Sequence, residues 1–335
     1  MTRPNDVTLV KVEGGQYACD AGHPPITNSE TLIMRLDGRR LIPVLGLLLA
    51  MLPNSLWSQE AATKITAELL IEEQPADPKL TKIVLIAGSN FFKPGEHEYV
   101  AGCAVLRDLL KQTPGVFTVL ALDWPKKPET LAGAKSIVCL FDGGDKHPLL
   151  AADRMNQLRK LTDERVGLVG LHQFVDVPKD VGGRMRDLMG AAWEKGHSQR
   201  AHWVNRFGTF ADHATSRGVT PFEIDDGWLF KLRFTPEMKR ITPLLRTVSP
   251  KAANQELNDD AIVAWNYDRA DGGRSFNFTG THLHASLAEE GYRRFLVNGI
   301  LWTAGVDIPL NGAPVSLTAE AMNKYLKPAS VAAKK

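Results

Sequence analysis

Short β-branched apolar runs that end in glycine or histidine constrain the fold of this chain most. KIVLIAG (Lys82 to Gly88), VFTVLAL (Val116 to Leu122), SIVCLFDGG (Ser136 to Gly144) and VGLVGLH (Val166 to His172) are such runs. They lack the polar alternation of a half-exposed strand, so they read as strands buried on both faces. Between them the spacing predicts a helix over Glu98 to Lys111, with Val100, Cys103, Val105, Leu106, Leu109 and Leu110 inward, and a second over Leu149 to Thr162. Strand alternating with helix means an open, mostly parallel sheet with helices on both faces. The second half is richer in β-structure. Strands are expected at His202 to Phe207, Phe222 to Ile224, Leu229 to Arg233, Ala261 to Asn266 and Arg274 to Thr279, before a closing helix over Ser286 to Ala304.

The 40 basic residues nearly balance the 38 acidic ones across 335 residues, which argues against a nucleic-acid partner. Of three cysteines, Cys103 falls on a predicted helix and Cys139 on a predicted strand, which suits buried thiols better than a zinc knot.

Arg35, Arg39 and Arg40 precede the apolar run LIPVLGLLLAML (Leu41 to Leu52), followed by small residues ending near Ser58. That order predicts an export signal over residues 34–58, with Met34 as the start and residues 1–33 untranslated or disordered. A spanning helix needs about 20 apolar residues, so cleavage is expected rather than a stable membrane anchor. The product is then periplasmic or secreted, with a linker over 59–80, the main domain over 81–310 and a tail over 311–335.

Open parallel sheets bind ligands beyond the carboxyl ends of their strands. Glu96, His97 and Glu98 follow the first predicted strand; Asp142, Asp145 and His147 follow the third; His172, Phe174 and Asp176 follow the fourth. Further on lie His197 and His202 in KGHSQRAHW, and His282 and His284 in GTHLHAS. Seven of nine histidines fall in these places, and imidazole is both a common metal ligand and a proton carrier near neutrality. His-x-His points two imidazoles to one side if extended. Asp225 and Asp226 precede Trp228, either as a carboxylate beside an aromatic platform or as a turn. Gly272 to Arg274 reads as a hairpin turn without chemistry. VGLVGLHQF has the strand-turn shape on which class I glutamine amidotransferases carry cysteine, but His172 stands there, so no thioester nucleophile is available.

KPGEHEYVAG, FDGGDKHP, VGLVGLHQFVDVPK, GHSQRAHW, HATSRGVTPFEIDDGWLFKLRF and GGRSFNFTGTHLH together resemble the ThuA-like (trehalose-utilisation) family, in its planctomycete-type branch, over roughly Thr81 to Val306. The resemblance implies a flavodoxin-like fold related to the class I amidotransferases without their triad. It also implies a polar cleft of His97, His172, His197, Asp226 and His282, with His284 and His202 following the branch. Asp226 stands where the family pattern has Glu, Lys195 and Gly196 replace the usual pair before His197, and Ala214 replaces proline after His213.

Three functions follow as expectations. The first is an enzyme acting on a sugar or keto-glycoside. In it His172, Asp226 and His97 handle the chemistry, Glu98, Asp142, Phe174, Trp203 and Trp228 bind substrate, and His197, His282 and His284 hold a divalent metal such as zinc. No nucleotide cofactor is expected. The second is a sugar-binding protein that stacks rings on its aromatics. The third is a metal-dependent amidohydrolase.

Overall fold

In a computed structural model the described residues are 69–88, 93–248 and 260–326. The expected export segment and everything before it lie outside them. The strands are β1 (Thr81–Ala87), β2 (Val116–Leu122), β3 (Ser136–Leu140), β4 (Gly167–Leu171), β5 (Ala191–Ala192), β6 (Gln199–Phe207), β7 (Phe222–Phe230), β8 (Arg233–Phe234), β9 (Ile241–Val248), β10 (Asp260–Asp268) and β11 (Arg274–Phe278). The helices are α1 (Tyr99–Leu110), α2 (Pro128–Leu131), α3 (Arg154–Asp163), α4 (Gly182–Met189), α5 (Glu290–Thr303) and α6 (Ala319–Asn323). Among the described residues no helix is long and apolar enough to cross a membrane.

Seven strands form one sheet in the order β2-β1-β3-β4-β11-β10-β9. The first five run parallel; β10 pairs antiparallel with β11, and the edge strand β9 pairs antiparallel with β10. This is the expected α/β, flavodoxin-like sheet with a β-rich second half. The apolar runs are buried on both faces for a visible reason. Ile83, Leu85 and Ala87 point into a core shared with α1 and α5, while Val84 and Ile86 point into one shared with α3 and α4. Cys103 and Cys139 are free thiols inside these cores.

Several elements differ from expectation. Residues 222–233 hold no turn at the Asp pair: Phe222–Phe230 is one nine-residue strand, paired with β6 as a separate antiparallel ribbon. Aspartate in mid-strand is unfavourable on propensity. Here Asp226 is fully buried among hydrogen-bond donors and Asp225 faces outward beside His202. The second helix starts late, because Pro148–Leu150 closes a separate 3-10 turn before α3. The last helix likewise begins at Glu290, after a 3-10 turn over His284–Ala288. The unanticipated β9 carries Pro243, which an edge strand tolerates because one row of its N–H groups pairs with nothing.

The flanking segments are tied down. Glu72 accepts hydrogen bonds from the backbone of Lys126 and Lys127 and from the Thr130 hydroxyl. Beyond residue 311, Ser316 pairs with Gln112 and Tyr325 is buried against α1.

Candidate functional site

The sheet order reverses at β1, which pairs with β2 on one side and β3 on the other, and the carboxyl ends of β1, β3, β4 and β11 open on one rim. His97 follows β1, Asp142 follows β3, His172 follows β4 and His282 follows β11. Their convergence is a consequence of parallel strands ending at one level.

Three imidazoles meet there. His97 Nε2 lies 2.6 Å from His282 Nδ1 and 3.2 Å from His172 Nε2. One nitrogen from each ring lies within 4.8 Å of the others. His97 and His172 are buried, and His282 is half-buried. Three backbones take left-handed conformations to make the approach: His97 (φ 52°), His172 (φ 54°) and Thr281 (φ 75°). Each costs on the order of 1–3 kcal/mol and is held by its surroundings.

The outer nitrogens fix the tautomers. His172 Nδ1–H donates to the Thr279 carbonyl at 3.2 Å, so its Nε2 presents a lone pair. Tyr99 donates its hydroxyl proton to Asp142 at 2.5 Å, so that oxygen accepts from His97 Nδ1–H at 3.0 Å. His97 Nε2 therefore also presents a lone pair. His282 Nδ1–H satisfies that one at 2.6 Å, and His172 Nε2 faces the cluster as an acceptor without a donor among the described residues. Burial pushes the His172 imidazole well below its usual value, with His97 and His282 adding to it, and burial pushes His282 down to about 4. Both rings are neutral at ordinary pH, as metal ligands must be.

Asp226 carries the loop that presents His282. It accepts from the backbone N–H of Gly227, Thr281 and His282 and from the Ser286 hydroxyl, at 2.8 to 3.2 Å. Burial pushes its carboxyl up to about 7, against the pull of these donors. Its geometry is that of a loop clamp rather than of a group open to substrate. Gly227 beside it has no side chain for good reason: a Cβ there would lie 3.0 Å from the His282 ring.

The remaining expected residues are placed as follows. His284 Nε2–H donates to the Met322 carbonyl at 2.7 Å, because the segment is not extended and 282 and 284 face apart. His197 sits in the turn before β6 and is not among the converging nitrogens. Glu98 accepts from the Gly95 N–H. Phe174, Trp203 and Trp228 are 0%, 8% and 1% exposed, with both indole N–H groups bonded internally, so none offers a ring face to a ligand. Two features escaped the sequence reading, the Tyr99 relay and the His202–Asp225 pair. His202 Nε2 lies 3.1 Å from Asp225 Oδ1, and its ring meets that of His282 edge-on at 5.6 Å. Beside Asp142 opens a cleft of about 610 Å³, lined also by Asp123, Asp145, Lys146, His147 and Arg154.

His147 is structural. Its Nε2–H donates to the Phe174 carbonyl, its Nδ1 accepts from the Leu149 N–H, and burial lowers it to about 4. A lowered imidazole contributes stability that is present above about pH 6.5 and lost as pH falls toward 4. Asp176, raised to about 6 by burial despite Arg200, pulls in the opposite direction, as does Asp226. The effect is therefore isolated by substitution: His147→Gln keeps both hydrogen bonds but does not titrate. Urea unfolding at pH 7 and pH 5 should show the variant gaining about 2 kcal/mol relative to the parent at the lower pH. Equal pH dependence in both proteins contradicts the assignment.

The sequence profile of the family described as "ThuA: Trehalose utilisation" matches residues 84–303. The chain belongs to the ThuA family. The matched region runs from within β1 to the end of α5 and so contains all three clustered histidines. The family's description gives this ThuA protein a carbohydrate-related role. A solved structure of a ThuA-like protein from Bacteroides uniformis is similar to it at 15% identity and a TM-score of 0.49, over 70% of this chain and 95% of that one. No curated protein matches the sequence.

Proposed function

We propose that this ThuA protein is an exported enzyme acting on a sugar or keto-glycoside, and that His97, His172 and His282 hold a divalent metal such as zinc. One observation carries the reading: His172 Nε2 is a buried lone pair 3.2 Å from a second lone-pair nitrogen, an arrangement that a shared cation stabilises. The donor set fits. His97, His172 and His282 offer ring nitrogens within 4.8 Å of one another, a set of imidazole donors that would suit such an ion. The 2.6 Å His97–His282 pair is a hydrogen bond as it stands. Outer hydrogen bonds to a carbonyl and to a tyrosine–carboxylate relay are what orient metal-binding imidazoles.

A bound divalent ion supplies Lewis-acid polarisation of a carbonyl or hydroxyl oxygen. The chain's own groups divide the rest. His172, deeply buried and held neutral, is a ligand rather than a proton store. Tyr99 and Asp142 hold the proton of His97 Nδ1 in place. His202, exposed at the rim and oriented by Asp225, is the imidazole free to exchange a proton with a substrate oxygen. The cleft beside Asp142 has the size and the mixed polar lining that a disaccharide requires. Export rests on the order of segments over residues 34–58.

A non-catalytic binder is disfavoured because the aromatic rings it would stack on are packed in the core. Incubation with trehalose and its keto derivatives tests the reading. Turnover should appear on at least one keto-sugar, fall below about a hundredth after chelation, and return with zinc. Saturable binding with no turnover in any metal-loaded sample would make the protein a binder instead.

A further inference from the structure

The Gly272–Arg274 turn, which the histidine site leaves unused, leads to a second site at the opposite end of the sheet. Three adjacent parallel strands begin beside a cation there: Lys135 directly precedes β3, Arg165 lies just before β4, and Arg274 opens β11. Strand register brings them to one edge, because Ser136 pairs with Gly167 and Ser275 with Leu168. Arg217 joins them from the segment after β6. All four line a groove of about 540 Å³ whose other walls are the Gly272–Gly273 turn and the last turn of α5. Asp307 is the one carboxylate among the described lining residues, which leaves three positive charges in excess among them.

None of the four forms an ion pair among the described residues. Arg274 donates to the Trp302 carbonyl and lies over the indole ring, and Arg217 donates to the Ile308 carbonyl, so both guanidinium groups are held in place. Gly272 has φ +83°, a left-handed conformation that favours glycine, and sets the turn in contact with the Arg165 side chain. Next to the groove, burial holds the His213 imidazole below its usual value; Asp268 opposes this, while Arg274 and Arg217 push the same way.

We infer that this groove, formed by Lys135, Arg165, Arg217 and Arg274, is a binding site for a phosphate-type oxyanion, separate from the histidine cluster. Fixed guanidinium groups match the fork geometry of phosphate oxygens, and lysine adds a mobile charge. The same chemistry is offered by a free anion and by a phosphoryl group on a sugar.

The test is calorimetric titration of the full chain with inorganic phosphate and, separately, with glucose 6-phosphate, at low ionic strength. Saturable binding of at least one is expected. The double variant Lys135→Ser/Arg165→Ser should weaken it by about tenfold or more, while Lys160→Ser/Lys239→Ser, which removes equal charge elsewhere, should not. Tighter binding of the sugar phosphate assigns the site to a phosphorylated sugar, and equal binding assigns it to the free anion. Phosphate should also slow acylation of Lys135 in the unaltered protein, a readout that needs no variant. Absence of saturable binding, or equal weakening by the control pair, overturns the proposal.

Discussion

Asp226→Ala should lower the unfolding free energy by about 3–5 kcal/mol, read from urea denaturation. The carboxyl is fully buried and is the shared acceptor for three backbone N–H groups and the Ser286 hydroxyl. Alanine removes the acceptor and leaves those donors where water does not replace it. Asp226→Asn keeps the volume but turns an amide NH₂ toward other donors, so it should fall between the two. The loop carrying Thr281 and His282 loses its anchor in either variant, so the loss of stability should be accompanied by weaker metal retention. A cost below about 1 kcal/mol for alanine would show that Asp226 does not clamp this loop.

His172→Ala should reduce turnover on a keto-sugar by about a thousandfold or more while changing sugar affinity only a few-fold. The separation of the two effects follows from position. His172 is buried beneath the cluster, bonded to the Thr279 carbonyl, and its free nitrogen faces His97. On the proposed reading, substrate hydroxyls would meet the cleft beside Asp142 and the rim at His202 instead. Parallel loss of affinity and turnover would place substrate directly on His172.

How much of this was legible in the sequence varies with the interaction involved. The parallel sheet was legible because continuous β-branched runs have few other solutions. His97 and His172 were legible as strand-end histidines, since topology alone brings such positions to one rim. Partners that act through the main chain left no trace: the Thr279 carbonyl that fixes the His172 tautomer could be any residue's. Tyr99 stood two residues from His97, but only the fold brings Asp142 to its hydroxyl. Spacing misled at 282 and 284, because a 3-10 turn begins at His284 and swings it toward Met322. Aromatic residues beside polar ones suggested sugar platforms at Trp203 and Trp228, whereas the β6–β7 ribbon turns those rings into the core. Sequence left the Asp pair open between a site carboxylate and a turn, because the donors that bury Asp226 come from a loop more than fifty residues away.

Metal content of the purified full chain, measured by elemental analysis after equilibration with zinc and gel filtration, tests the three-imidazole centre most directly. About one ion per chain is predicted, falling to near zero in His97→Ala and in His282→Ala but unchanged in His197→Ala and His284→Ala. Less than about a tenth of an ion per chain in the unaltered protein, or retention of metal by His97→Ala, would contradict it.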